Sequence, residues 1–414
     1  MEAANQVIKQ SWVWLFAIIF FFFNNLLFVD GLTMALVLTP IWLYFFFQWQ
    51  LSNRQTLFCV LSFVLLYAMV HIWQGANIGY YSISTTILLS IAVFTTVFYK
   101  VINTSYINFD GALRRILVLN FFLTILALAL LSIPSLKGAV WYIMSISKNI
   151  EPMPRLKMFT SEASHYSYLW ALPTIYFFSR VLFFKVKQPA LTLFMVSLPL
   201  LLSFSLGVLS ALIASAFVML FAFRKYVFRS RRTRISLLFA IATFVLIMAL
   251  LWLMYPQNPL FLRIGNIMHG DDTSAKGRTI DSFILANKII ASKSYLFGIG
   301  PGQLKVFGRT TIIQYYHYSN MPSVIRIPNA CAETIICFGY TGFAIRMMIQ
   351  LFLFIKTQVY KDPFRLWLFF FLFLYQFTGS YITNVNEYML WAIAFAPFMF
   401  PDFHRAVSGT NRVS

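Results

Sequence analysis

Apolar runs of membrane-spanning length follow one another along the whole chain. About twelve can be read, over 11–29, 32–48, 56–73, 79–99, 115–133, 164–182, 189–204, 207–223, 235–255, 331–355, 363–379 and 388–401, and a helical span needs roughly 20 residues. Each run is bounded by charges, Pro/Gly or polar clusters. Composition agrees: 60% of the 414 residues are apolar and 11% charged, and mean hydropathy is +0.75. Soluble domains run at about 45–50% apolar and about 25% charged. A soluble enzyme, a disordered chain and a nucleic-acid-binding domain are therefore excluded, and so is an outer-membrane barrel, whose short strands alternate in hydropathy. The predicted fold class is an all-α polytopic membrane protein of about 12 transmembrane helices, a single transmembrane domain over 1–414. The runs at 189–204 and 207–223 are either a tight hairpin or one long broken helix.

The net charge of +20 acquires meaning once it is sorted by side of the membrane. With the N-terminus inside, Lys9, Arg54, Lys100, Arg114, Arg115, Arg180, Lys185, Lys187 and the cluster from Arg224 to Arg234 fall in short cytoplasmic loops. Both termini are then cytoplasmic, and the first run is an uncleaved span. Two long segments, 134–163 and 256–330, then fall outside. They carry basic residues despite the inside bias, a surface suited to an anionic, phosphate-bearing ligand. Cys331 and Cys337 lie on roughly opposite faces of one predicted helix and do not pair. No metal-ligand spacing and no nucleotide-binding motif is present, so the chemistry expected is free of metal and cofactor.

Polar chemistry concentrates in those two segments. The first ends in Arg155, Lys157, Thr160, Ser161, Glu162, Ser164 and His165. Thr160 or Ser161 suits the cap of the next helix, with Glu162 in its first turn. Glu162 and His165, three apart, share one helix face and form a candidate acid/base pair. In the second, Arg278 precedes an amphipathic stretch in which Ile280, Phe283, Ile284 and Ile290 keep helical spacing, expected to lie on the outer interface. Gly298-Ile299-Gly300-Pro301-Gly302 follows, either a turn or a phosphate contact. Tyr315, Tyr316 and Tyr318 are interfacial belt residues or plates for sugar rings, and His317 is a third candidate base. Arg326 and Asn329 precede the tenth run, where Glu333 and the deeper Arg346 both need partners.

The order of these motifs resembles the superfamily of O-antigen polymerases (Wzy-type) and O-antigen ligases. The resemblance rests on Arg155…Phe159…Glu162 before a span and the Ser-rich turn Leu202-Ser203-Phe204-Ser205-Leu206-Gly207. It continues in Gly277-Arg278 followed by the glycine cluster, and in Asn329…Glu333…Gly339…Gly342. It implies a glycosyltransferase-C-like membrane fold with its active site at the periplasmic face of the bacterial inner membrane. The donor would be an oligosaccharide on undecaprenyl diphosphate, held by Arg155 and Arg278 with Arg326 nearby, and Tyr315, Tyr316, Tyr318 and Asn329 would contact glycan. Glu162, His165 and His317 stay open as the base. Implied partners are the lipid bilayer and, from the same pathway, a chain-length regulator and a flippase. Ligases carry a His immediately before the matching Asn, where this chain has Pro328. The expectation is an inverting polysaccharide (O-antigen) polymerase, with an O-antigen ligase or a non-enzymatic lipid-linked oligosaccharide flippase as alternatives.

Overall fold

The computed structural model describes residues 21, 27–29, 32–49, 54–104, 109–144, 152–228, 252–254, 257–317, 325–397 and 399–408. Most of the apolar runs that fall in the described residues become helices, with ends mostly within about six residues of those read from the sequence; the run 32–48 opens instead as a short strand, Leu32–Thr33. The helices are α1 (Thr39–Gln48), α2 (Arg54–Trp73), α3 (Ile78–Thr104) and α4 (Phe109–Leu130). After a two-stranded antiparallel ribbon, β1 (Trp141–Met144) with β2 (Met153–Leu156), come α5 (Ala163–Phe183), α6 (Pro189–Ser203) and α7 (Leu206–Ala222). The first and ninth runs lie almost wholly outside the described residues.

The segment 256–330 folds largely into helices: α8 (Pro259–His269), α9 (Thr273–Arg278), α10 (Ile280–Ile290) and α11 (Arg309–Tyr316). Then come α12 (Ala330–Lys356), α13 (Pro363–Tyr375), α14 (Val385–Phe395) and α15 (Pro401–Ser408). Among the described residues three helices are long and apolar enough to cross a membrane, Ile78–Asn103, Phe109–Leu130 and Ala330–Lys356, and several others are apolar but shorter. Large side chains face outward along them: Phe58 (72% exposed), Phe122 (69%) and Phe221 (72%). An exterior this apolar is suited to lipid rather than water.

Among the described residues there are two hydrophobic cores. The larger gathers α1, α3, α4, the ribbon, α5, α6, α7, α13 and α14 around fully buried Trp170, Tyr176, Phe364 and Phe371. The smaller joins α10, α11 and the first half of α12 through Leu285, Ile289, Ile290, Ile299, Ile312 and Ile336. Residues expected on one side of the membrane meet at one end of the bundle, where Arg180 bridges Asp110 and Asp402. The runs at 189–204 and 207–223 are two helices, α6 and α7, separated by Phe204 in a left-handed conformation and Ser205.

Helix α12 is interrupted at Gly339, whose φ of 67° is left-handed. An unbroken helix would bond Tyr340 and Thr341 N–H to the carbonyls of Ile336 and Cys337. Instead these four groups exchange bonds with the glycine-rich loop. Tyr340 and Thr341 donate to the carbonyls of Tyr295 (2.9 Å) and Leu296 (3.2 Å), while Ile299 and Gly300 donate to those of Ile336 (2.8 Å) and Cys337 (3.0 Å). The two backbones touch at Gly298 and Gly339: a Cβ on Gly298 would lie 2.5 Å from the Ile336 carbonyl oxygen, and one on Gly339 would strike Leu296. The loop is also clasped to the α2–α3 turn. His71 Nε2 donates to the Phe297 carbonyl (2.8 Å), which leaves Nδ1 to accept from Tyr81. Gln303 exchanges two bonds with the Asn77 backbone. The glycine cluster is therefore a plug in a broken helix, and the N–H groups of Ile299 and Gly300 are spent on protein rather than phosphate.

Candidate active site

Glu162 is the N-cap of α5 rather than a first-turn residue, because the helix starts at Ala163. Its Oε2 accepts from the Ser164 hydroxyl (2.9 Å), and one turn on His165 Nδ1 shares a hydrogen bond with Ser161 (2.9 Å). Glu162 and His165 both line a narrow cleft with Ser164, Tyr168, Arg278, Pro328, Tyr375, Ser380, Tyr381 and Asn384. About 10 Å³ is open to the centre of a water molecule, room for about one water. The cleft thus brings the start of α5, the end of α9, the residues before α12 and the loop before α14 to one point.

Arg278 is the last residue of α9 and is positioned through its backbone. Its carbonyl accepts from Asn329 Nδ2 (2.8 Å), and the same amide donates to the Phe377 carbonyl (2.6 Å). Asn329 Oδ1 caps α12 by accepting from Ala332 N–H (2.9 Å). Asn329 is fully buried with its amide spent on these three partners, so it holds Arg278 in place and does not face a glycan. Arg155, on β2, donates from Nε to the Ser203 carbonyl at the α6–α7 break (3.2 Å) and lies over the Tyr142 ring. Burial first, then repulsion from Arg263 and Arg278, bring its guanidinium down to about 10. Burial pushes the Glu162 carboxyl up, but His165, the Ser164 hydroxyl, Arg278 and Arg155 together outweigh it and hold the group below its ordinary value.

Arg326 is exposed and stacks 5.5 Å over the ring of Tyr381, a lining residue. Glu333 accepts the Ile382 N–H (2.8 Å) and so fixes the loop that carries Tyr381. Arg346 finds its partner in Glu387, with further bonds to Gln376 (2.9 Å) and Thr334 (3.3 Å). Ser380 in the cleft donates to Glu387 Oε2 (2.6 Å), which ties this buried network to the site.

Other sequence candidates lie elsewhere. His317 is an exposed, left-handed residue ending α11 and does not line the cleft. Tyr315 donates to Asp281 (2.9 Å) under Lys288, and Tyr316 packs edge-on against it; both flank the smaller core. Tyr318 lies outside the described residues. Helix α10 does not rest freely on an interface: Leu285, Ala286, Ile289 and Ile290 are buried in the core shared with α12, and Ile280 (61%) and Ile284 (38%) form its outward side. Tyr168, Tyr375, Ser380 and Tyr381 line the cleft without having stood out in the sequence, where tyrosines beside apolar runs look like belt residues. Among the described residues no group of three His, Cys, Asp or Glu side chains is placed to hold a metal.

A larger groove of about 800 Å³ runs beside α12 between α2, α3 and α14. Its walls are mostly apolar, among them Phe63, Leu88, Phe338, Ile349 and Trp391, and the Arg346–Glu387 pair lines it as well. Comparison with models of known protein families and with curated proteins finds no match to this chain.

Proposed function

We propose that this chain is an integral membrane glycosyltransferase that polymerises a polysaccharide carried on undecaprenyl diphosphate, working at the periplasmic face of the bacterial inner membrane. The observation that carries the reading is the cleft itself, where Glu162, His165 and Arg278 converge from distant parts of the chain beside Arg155. Direct displacement needs this set. The acceptor hydroxyl oxygen attacks the anomeric carbon of the donor glycan. The bond from that carbon to phosphate breaks, and the diphosphate leaves on its lipid. Arg155 and Arg278 stabilise charge on the leaving group. Glu162 or His165 accepts the acceptor proton.

The field around Glu162 links the two halves of the reaction. Its carboxyl is held low partly by Arg278 and Arg155, which makes it a weak base in the free protein. A bound diphosphate would neutralise those cations and raise the carboxyl toward a working base. The apolar groove beside α12 is of a size and character for a prenyl chain. Pro328 lines the cleft where a ligase would place its His, which favours the polymerase over the ligase.

The test is the length ladder of surface polysaccharide in a deletion strain complemented with wild type, Arg155→Ala or Arg278→Ala. Wild type should restore a ladder. Each variant, at normal expression, should leave core plus one unit, since losing a transition-state donor costs on the order of 10²–10³ in rate. A full ladder from both variants sinks the mechanism. Bare core without a single unit in the deletion strain points instead to a ligase or flippase.

A further inference from the structure

Arg263, on α8, is buried (8% exposed) and lies outside the set of residues considered so far. Its Nε donates to Asp272 Oδ2 at 3.0 Å, and the Asp272 side chain is itself completely buried. The other oxygen of Asp272 caps α9 by accepting from Ala275 N–H (2.7 Å), and α9 ends in Arg278. A short rigid connection therefore couples Arg263 to Arg278. Nη1 of Arg263 is buried without a hydrogen-bond partner among the described residues. An orphaned guanidinium nitrogen is costly, because removing a charged donor from water is offset only by a partner.

Two more cations stand close. Burial first, then repulsion from Arg263 and Arg278, lowers the Arg155 guanidinium; at Arg263 burial lowers it most, the Asp272 carboxylate opposes this, and repulsion from Arg278 adds a smaller lowering. Against three arginines stand two carboxylates, Asp272 on Arg263 and Glu162 beside Arg155 and Arg278. The cluster is short of negative charge, and one donor of its most buried member is unused.

We propose that Arg263 is the third guanidinium of the anion site formed with Arg155 and Arg278, directing Nη1 to a ligand carrying two phosphates rather than one. The inference rests on the diphosphate reading of that site and adds a residue and a charge preference to it. Arg155 and Arg278 supply two guanidiniums to the diphosphate; a third, held through Asp272, adds a donor for which a diphosphate has further oxygens and a single phosphate does not, and so favours pyrophosphate over phosphate.

The full chain in lipid nanodiscs, titrated calorimetrically with inorganic pyrophosphate and with inorganic phosphate, tests this. Wild type should bind pyrophosphate more tightly than phosphate. Arg263→Gln should weaken pyrophosphate by about tenfold or more, the worth of one charge-assisted hydrogen bond, and should erase the preference over phosphate. Asp272→Asn separates this role from a structural one: it removes the carboxylate that fixes Arg263 and leaves the cation, so pyrophosphate should bind more weakly than to wild type but more tightly than to Arg263→Gln. A merely structural Arg263 predicts that both variants lower thermal stability alike and leave binding unchanged. If Arg263→Gln does not fold, Arg263→Lys keeps the charge and loses the fork, and should weaken pyrophosphate several-fold. Arg263→Gln binding within twofold of wild type, while Arg278→Gln weakens it, overturns the role of Arg263 alone. Absence of pyrophosphate binding to wild type overturns the anion site as a whole.

Discussion

Asn329→Ala separates a glycan contact from a structural anchor. The wild-type side chain makes three hydrogen bonds, to Ala332 N–H and to the carbonyls of Arg278 and Phe377, and is completely buried. Losing an N-cap oxygen costs about 1 kcal/mol. Each buried carbonyl left without its donor costs about 1–3 kcal/mol. The expected loss is therefore about 3–7 kcal/mol, falling to about 2–4 kcal/mol if water reaches one carbonyl. Reversible unfolding in mixed micelles, titrated with SDS, measures it. Asn329→Ser restores the cap oxygen and should recover about 1 kcal/mol only. Asn329→Asp keeps the cap but turns an acceptor toward two carbonyls, and should be no better than Ala. If Asn329→Ala unfolds within about 1 kcal/mol of wild type, less than a single orphaned carbonyl implies, the anchoring argument is refuted and a direct ligand role returns.

Three further outcomes follow from the same geometry. Arg346→Met or Glu387→Gln alone should cost about 3–5 kcal/mol by leaving an uncompensated buried charge or its unpaired partners, while the double apolar replacement should cost far less; equal and additive losses in the same titration would mean the pair is not coupled. Gly339→Ala should sharply reduce the amount of folded protein in the membrane, because the left-handed backbone there costs about 1–2 kcal/mol for any residue with a Cβ and that atom would also strike Leu296, whereas Gly138→Ala, with open space around it, should be neutral. For Glu162 the folded carboxyl sits below its ordinary value, so its stabilisation is present above the unfolded value of about 4.3 and disappears as pH falls through the folded one; the stability gap between wild type and Glu162→Gln, followed by thermal unfolding, should shrink on going from pH 6 to pH 3, and parallel curves would contradict the field assigned to the arginines.

The helices were legible because hydropathy sets them locally: α5, α12 and α13 begin within one residue of the corresponding runs. That Glu162 and His165 line one cleft follows from their closeness in sequence, although Glu162 is the N-cap rather than a helical residue and the two side chains bond Ser164 and Ser161 rather than each other. Long-range pairings were not legible. Arg346 visibly needed a partner, but nothing local marks Glu387 among the available carboxylates, because 41 residues separate them. Tyr315 offered no sign that Asp281 and Lys288 would surround it. In the same way, the glycine cluster stayed open between a turn and a phosphate contact, because glycines that admit a ligand and glycines that admit another backbone are the same residues in sequence. Only Gly339, mid-helix and 37 residues beyond Gly302, hinted at the second reason.

The interrupted helix also bears on how this protein is made. A span in lipid must satisfy every backbone polar group, at several kcal/mol for each one left bare. Helix α12 cannot do so alone across Gly339, since Ile336, Cys337, Tyr340 and Thr341 turn to residues 295–300 for their bonds. Those residues are synthesised first and can wait for the helix as it emerges. Docking of the loop is then a step of biogenesis, and damage to it should lower the yield of inserted chains while the molecules that do mature keep their full activity.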